Sequence, residues 1–141
     1  MRGIKKLVVL SVIAASFFSC HKTKEQAGCG TQVCTNVFAA IGVGFADING
    51  NPITIKNFTA INQRTKQSVV PVSPVSGPAQ PGYYIVTDDN SRKDFSTEGD
   101  EVIISGTHPT TNVTKTVTFK ISGGCNCHVE KISGSSTVVF D

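Results

Sequence analysis

Tryptophan is absent from this 141-residue chain, methionine occurs once and tyrosine twice. Sugars stack on flat aromatic side chains, mostly Trp and Tyr. Tyr83 and Tyr84 are chain neighbours, so on a strand they face opposite ways. A carbohydrate-stacking platform is therefore poorly supplied. Charge is scarce as well, at 16% of residues. The net charge of +3 has a local origin, because Arg2, Lys5 and Lys6 carry all the charge of residues 1–19. From Cys20 onward, ten Lys/Arg face ten Asp/Glu, and the basic field that nucleic-acid binding requires is missing. No serine sits in a G-x-S-x-G frame, and His21, His108 and His128 have no evident nucleophile beside them. The fold is expected to carry no catalysis and to need no cofactor.

Long hydrophobic runs are also lacking. The apolar stretch Leu7–Phe18 is 12 residues long and follows the three basic residues. A membrane-spanning helix needs about 20 such residues, whereas the apolar region of an export signal needs about 7–15. Residues 1–19 therefore read as a signal peptide. It closes on Phe17-Phe18-Ser19-Cys20, and a small residue directly before a cysteine resembles the bacterial lipobox. Phe17 and Phe18 stand where that motif commonly has Leu and a small residue, but looser versions occur in the Bacteroidota. The resemblance to Bacteroidota-type lipoproteins implies that the Cys20 thiol receives diacylglycerol and that Cys20 opens the mature chain. The alternative is an ordinary secretory signal cut near Ala14-Ala15-Ser16, leaving Cys20 a spare thiol. Several acyl chains, at about 0.8 kcal/mol per buried methylene, hold a protein on a membrane. Residues 20–32 form the lipidated cysteine and a polar tether. Only Glu25 supplies acid there, behind Lys22 and Lys24. That leans toward the periplasmic face of the outer membrane rather than the cell surface.

Residues 33–141 read as one β domain. Val37, Ala39, Ile41, Val43 and Phe45 alternate with Phe38, Ala40, Gly42, Gly44 and Ala46. Period two is a strand signature. The strand ends at Asp47-Ile48-Asn49-Gly50-Asn51-Pro52, where Asn-Gly supplies positive φ and Pro52 cannot continue a central ladder. Further strands are expected at Ile53–Asn62, Tyr83–Thr87, Glu101–Gly106, Val113–Ile121, Cys127–Ile132 and Ser136–Phe140. The last two flank Ser133-Gly134-Ser135, a hairpin signal. Thr114, Thr116, Thr118 and Lys120 define a wetted face, and the Phe residues outside the signal are assigned to the core. Seven strands without a convincing helix predict an all-β, two-sheet β-sandwich.

Three segments carry a further resemblance: Val43-x-Phe45-x-Asp47-x-Asn49-Gly50-Asn51-Pro52-Ile53, Pro81-Gly82-Tyr83-Tyr84-Ile85-Val86, and Gly99-Asp100-Glu101-Val102-Ile103-Ile104-Ser105-Gly106. Together they are similar to the transthyretin-like or carboxypeptidase-regulatory-like modules of exported bacterial proteins. That family implies an immunoglobulin-like or prealbumin-like sandwich with a structural or binding role, and it brings no catalytic residue.

Apart from Cys20, four cysteines remain: Cys29, Cys34, Cys125 and Cys127. An even count in an exported chain reads as two disulfides, with three pairings open. If residues 125–127 form a strand, the two thiols point the same way about 6.6–6.8 Å apart, which suits partners on a neighbouring segment better than each other. A six-residue loop gains about 2 kcal/mol from closure and a loop near one hundred residues about 4–5. Both considerations favour stapling the segment after the tether to the C-terminal region. Two local bonds remain the alternative, since Gly123-Gly124 permits a turn. A different reading uses Cys29, Cys34, Cys125, Cys127 and His128 as zinc ligands, although C-x4-C and C-x-C-H differ from the usual C-x2-C pairs.

Acids cluster at Asp88, Asp89, Asp94, Glu98, Asp100 and Glu101. The stretch Asp88–Glu101 raises the question of calcium, but it has no D-x-D-x-D-G loop, so it reads as solvated. Asp47, Asn49 and Asn51 likewise read as turn formers. The expectation is a lipid-anchored protein of the outer membrane with a structural, adhesive or partner-binding role. Its partners would be the membrane, through the N-terminal lipid, and another envelope protein. The loops Val72–Gly82 and Asp88–Gly99 are the candidates for contact, because long polar or proline-rich excursions often carry function.

Overall fold

The computed structural model describes residues 28–30, 33–72 and 80–141. The signal and the acylation site at Cys20 therefore lie outside the described residues, as does the middle of the proline-rich loop. The chain divides into two compact units, residues 1–30 and 31–141. In the first, residues 28–30 are exposed and without regular structure. The second is the β domain.

Among the described residues it has seven strands: β1 (Ala40–Asp47), β2 (Lys56–Asn62), β3 (Tyr83–Asp88), β4 (Asp100–Thr107), β5 (Thr114–Ser122), β6 (Glu130–Ser133) and β7 (Thr137–Phe140). They form a three-stranded sheet in the order β3-β1-β7 and a four-stranded sheet in the order β2-β4-β5-β6. The expected all-β sandwich is present. Every pair is antiparallel except β1–β7, which is parallel, with Phe45 opposite Val138 and Asp47 opposite Phe140.

Alternation along each strand makes the core. In β4, Val102 and Ile104 are fully buried while Glu101 and Ile103 face out. In β5, Phe119 and Ile121 are buried while Thr114, Thr116, Thr118 and Lys120 are exposed. Phe45 of β1 stands at the centre, edge-on to Phe58 (6.3 Å between centroids) and to Tyr84 (5.7 Å). Aromatic edges prefer this T-shaped contact with neighbouring faces. Tyr84 is buried, and its hydroxyl accepts the Ile55 N–H at 2.9 Å, so its polar end is satisfied. Tyr83 points the other way and is partly exposed, as neighbouring strand residues must be.

Four expectations fail in instructive ways. Residues 133–135 do not close a hairpin, because β6 and β7 belong to opposite sheets and the connection crosses the sandwich. The first strand begins at Ala40, not at Val37, and residues 33–39 precede it without regular structure. Phe38 lies in that segment and is 62% exposed rather than in the core. The polar stretch after β3 holds a 3-10 helix over Asp89–Asp94, where Asp88 caps the first turn by accepting the Asn90 N–H.

Strand directions give the domain two poles. At one end lie the start of β1, the ends of β2, β3 and β5, and the start of β4, together with the 3-10 helix and residues 123–129. At the other end lie the turns 47–52 and 108–112 and the end of β7. The cysteines of this unit sit at the first end.

Candidate functional site: the cysteine pole

Cys34 and Cys127 form a disulfide with Cα atoms 5.3 Å apart and a sequence separation of 93. Cys29 and Cys125 are disulfide-bonded as well. The Cys34–Cys127 bond removes two of the three pairings, including the one built from local bonds. The strand expected at 125–127 is absent, however. Residues 124–128 form turns and bends rather than a strand, so the spacing of strand side chains does not govern Cys125 and Cys127. For the same reason His128 is not held on the opposite face of a strand from Cys127.

The turn at 123–126 is positioned by glycine and by the 3-10 helix. Gly124 has φ of +58°, and a Cβ on Gly123 would sit 2.4 Å from the Arg92 carbonyl oxygen. Both positions therefore need glycine, one for its backbone angle and one for the close approach. The Gly124 N–H donates to that same carbonyl at 2.8 Å, and the Gly123 N–H donates to the Ser96 carbonyl at 3.0 Å. In return, Arg92 Nη1 donates to the carbonyl oxygens of Gly124 (3.0 Å) and Asn126. Thr97 Oγ1 accepts the Cys125 N–H at 3.2 Å. These bonds hold the cysteine turn against residues 92–97.

Asp89 joins three segments. Its Oδ2 accepts the Ala39 N–H at 2.8 Å, its Oδ1 accepts the Val129 N–H at 2.8 Å, and His128 Nδ1 lies 2.8 Å from Oδ2. Burial raises the Asp89 pKa, but the Ala39 N–H, His128 and the Val129 N–H outweigh it and hold the carboxyl below its ordinary value. On the far side of the ring, His128 Nε2 is 3.0 Å from Thr35 Oγ1. With Nδ1–H donating to Asp89, Nε2 accepts the Thr35 hydroxyl proton, or donates to its oxygen if the ring is protonated. Hydroxyl, imidazole and carboxylate thus stand in the connectivity of a nucleophile–base–orienter relay. Here each group also ties one chain segment to another. Thr35 belongs to the stapled segment before β1, His128 to the cysteine turn, and Asp89 to the helix that follows β3.

A second carboxylate does similar work nearby. Asp100 is almost fully buried, with 4% of its side chain exposed. Arg64 donates Nε to Oδ1 and Nη2 to Oδ2, both at 2.8 Å. Asn62 Nδ2 (2.9 Å), Ser96 Oγ (2.8 Å) and the Ser96 N–H (3.1 Å) complete its shell. Burial pushes the Asp100 pKa up, but Arg64, Asn62 and Ser96 more than reverse it and leave the carboxyl far below the usual range.

The two loops singled out from sequence meet this architecture differently. Residues 88–99 are not a free excursion, because Asp88, Asp89, Arg92, Ser96 and Thr97 all bond to the body of the domain. Residues 73–79 of the other loop lie outside the described residues. Its start adjoins the 88–99 segment at an open cleft of about 570 Å³, lined by Ser68, Val70, Pro71, Val72, Asp88, Asn90 and Ser91. The Asp47 turn is also self-contained. Asp47 Oδ1 accepts the N–H groups of Asn49 and Asn51 at 2.8 Å, and Oδ2 accepts Asn51 Nδ2 at 2.9 Å. Those bonds, led by the Asn51 side chain, lower its pKa.

Among the described residues, no three His, Cys, Asp or Glu side chains form a metal-binding group. A disulfide sulfur is no thiolate, so Cys34 and Cys127 offer zinc nothing while the bond lasts. Asp89 and Arg92 were legible as charges in an acidic stretch, but Thr35 carried no signal at all. Its role depends on a partner 93 positions away. No protein-family model, no curated protein and no solved structure matches the chain.

Proposed function

We propose that this protein is a lipid-anchored component of the outer membrane, without catalysis, whose stapled β-sandwich serves a structural, adhesive or partner-binding role. The Cys34–Cys127 bond carries the reading, because disulfides of this kind form and persist outside the cytosol. The sequence before it supports the same reading: a basic start, a 12-residue apolar run and a cysteine after a serine, followed by a polar tether. The sandwich agrees with the resemblance to transthyretin-like or carboxypeptidase-regulatory-like modules, whose role is binding or structure. Acyl chains on Cys20 would fix one end, and the body would meet a second envelope protein.

Peptide mass spectrometry on the membrane fraction, without reduction, tests this. The expected result is a mature chain beginning at acylated Cys20 and a Cys34–Cys127 linked peptide. An unmodified Cys20 in a freely soluble product, with reduced thiols, would overturn the proposal.

A further inference from the structure

We infer that residues 33–38 form an apolar collar that sits in the interface of the bilayer, so that the cysteine pole faces the membrane and the opposite pole faces the partner. The inference rests on the acyl anchor proposed above and adds an orientation and a contact surface to it.

Val33 is 99% exposed, Val37 66% and Phe38 62%. Three large apolar side chains within six residues are thus left in solvent. Chain collapse cannot cover them easily, because the segment is fastened at both ends. Cys34 is bonded to Cys127, and the Ala39 N–H is held by Asp89. Thr35, between them, is engaged with His128. Val37 and Phe38 are therefore presented by a fixed backbone, and Val33 directly precedes the stapled Cys34.

Composition points to lipid as the occupant. No charged residue occurs from Gln26 to Ala46, so the collar itself carries no charge that resists partial burial in acyl chains, and the neighbouring Asp89 carboxylate is engaged by Ala39, Val129 and His128. Cys20 is close enough to bring the collar there. Cys29, itself disulfide-bonded, follows it by nine positions, a reach of at most about 30 Å when extended. The exposed charges at the same pole include both signs, Lys66 and Lys93 against Asp94 and Glu98. The contact is accordingly apolar rather than electrostatic, which distinguishes it from a basic patch gathering anionic headgroups.

The absence of tryptophan makes a direct test available, since a single introduced Trp is the only indole in the chain. Full-length protein carrying Phe38→Trp or Ile48→Trp is purified in its acylated form and reconstituted into phosphatidylethanolamine/phosphatidylglycerol vesicles, with or without brominated acyl chains. Ile48 is 74% exposed in the turn at the other pole and serves as the reference. The expected result is blue-shifted emission and severalfold quenching by brominated lipid at position 38. Position 48 should stay unshifted and unquenched, with both signals insensitive to added salt. Equal quenching at both positions, or none at 38 on protein whose Cys20 is shown by mass to be acylated, overturns the collar and leaves the anchor standing. A blue shift at 38 that follows protein concentration in lipid-free detergent assigns the collar to a second copy and overturns the lipid contact. Absence of acyl mass on Cys20 overturns anchor and collar together.

Discussion

The two poles of the sandwich place their long-range polar bonds differently, buried on carboxylates at one and exposed on lysines at the other. At the cysteine pole, polar side chains reach across the sequence. Asp89 joins residues 39, 128 and 129, Asp100 joins residues 62, 64 and 96, and the disulfide spans 93 positions. At the opposite pole, local bonds shape the turns, and the long-range bonds come from exposed lysines: Lys56 Nζ donates to the Pro109 carbonyl and Asn112 Oδ1, and Lys115 Nζ to the Val139 carbonyl and Asp141. Asp47 bonds only as far as Asn51, and His108 Nδ1 accepts the N–H groups of Thr110 and Thr111 at 3.2 Å. Long-range bonds lower the entropy of the whole unfolded chain or anchor separate segments, whereas local ones shape a loop that its neighbours hardly feel. The cysteine pole should therefore be intolerant of change and the opposite pole permissive.

The disulfide gives the largest expected effect. Replacing Cys29 and Cys34 together by Ser should lower unfolding free energy by about 4–5 kcal/mol or more on the chain-entropy account, read as a shifted denaturant midpoint, whereas Cys34→Ser alone leaves the Cys29 and Cys125 cross-link closing nearly the same loop and should cost about 2 kcal/mol. A loss under about 1 kcal/mol in the double variant would remove the main support for the contrast. Asp100→Asn comes next, at about 2–3 kcal/mol. Removing one partner of a buried pair typically costs 3–5, and Arg64 is half exposed, so solvent screening reduces that. Asp89→Asn should cost about 1–2 kcal/mol, since the amide keeps some of the bonds but loses the charge.

These carboxylates also predict a pH response. Both are held below their unfolded value, so their contribution is complete above the ordinary carboxylate range near 4 and drains as pH falls through and below it. The midpoints of wild type and Asp100→Asn should converge at low pH. A gap that persists at pH 2 would show that packing, not charge, sets the difference. The smallest effect is expected at Gly50 in the far turn, whose φ is +83° and whose Cβ would meet open space. Gly50→Ala should cost about 1 kcal/mol from backbone strain alone. If it rivals the cysteine variant, the far turn is as integral to the domain as the stapled end.

What the sequence displayed was periodicity, and periodicity reports only which faces are buried. The alternation at Val43-Phe45, Val102-Ile104 and Phe119-Ile121 placed the core strands. It could not say that β6 and β7 part company at Gly134, because a short Ser-Gly-Ser link reads the same whether it turns back or crosses over. Phe38 looked like core because its hydrophobicity matched its neighbours, but the strand it was assigned to starts two residues later. The staple was legible as a count of cysteines. The Asp89 junction was not, since each of its bonds joins residues 39 or more positions apart and leaves no local pattern. Asp88–Gly99 looked like a free loop for a related reason: acids suggest solvent until their partners are known.

The parallel pairing of β1 with β7 has a consequence for the growing chain. The first strand to emerge has one flank that only the last strand can complete, nearly a hundred residues later. Until then β1 carries an open edge whose one charge is Asp47 at its end, the kind of surface on which nascent polypeptides stick to one another. On the proposal that the chain is exported from its N-terminus, that hazard lasts for the whole passage, and holdase chaperones on the receiving side should matter more for this domain than for a sandwich whose neighbours in sequence are neighbours in the sheet.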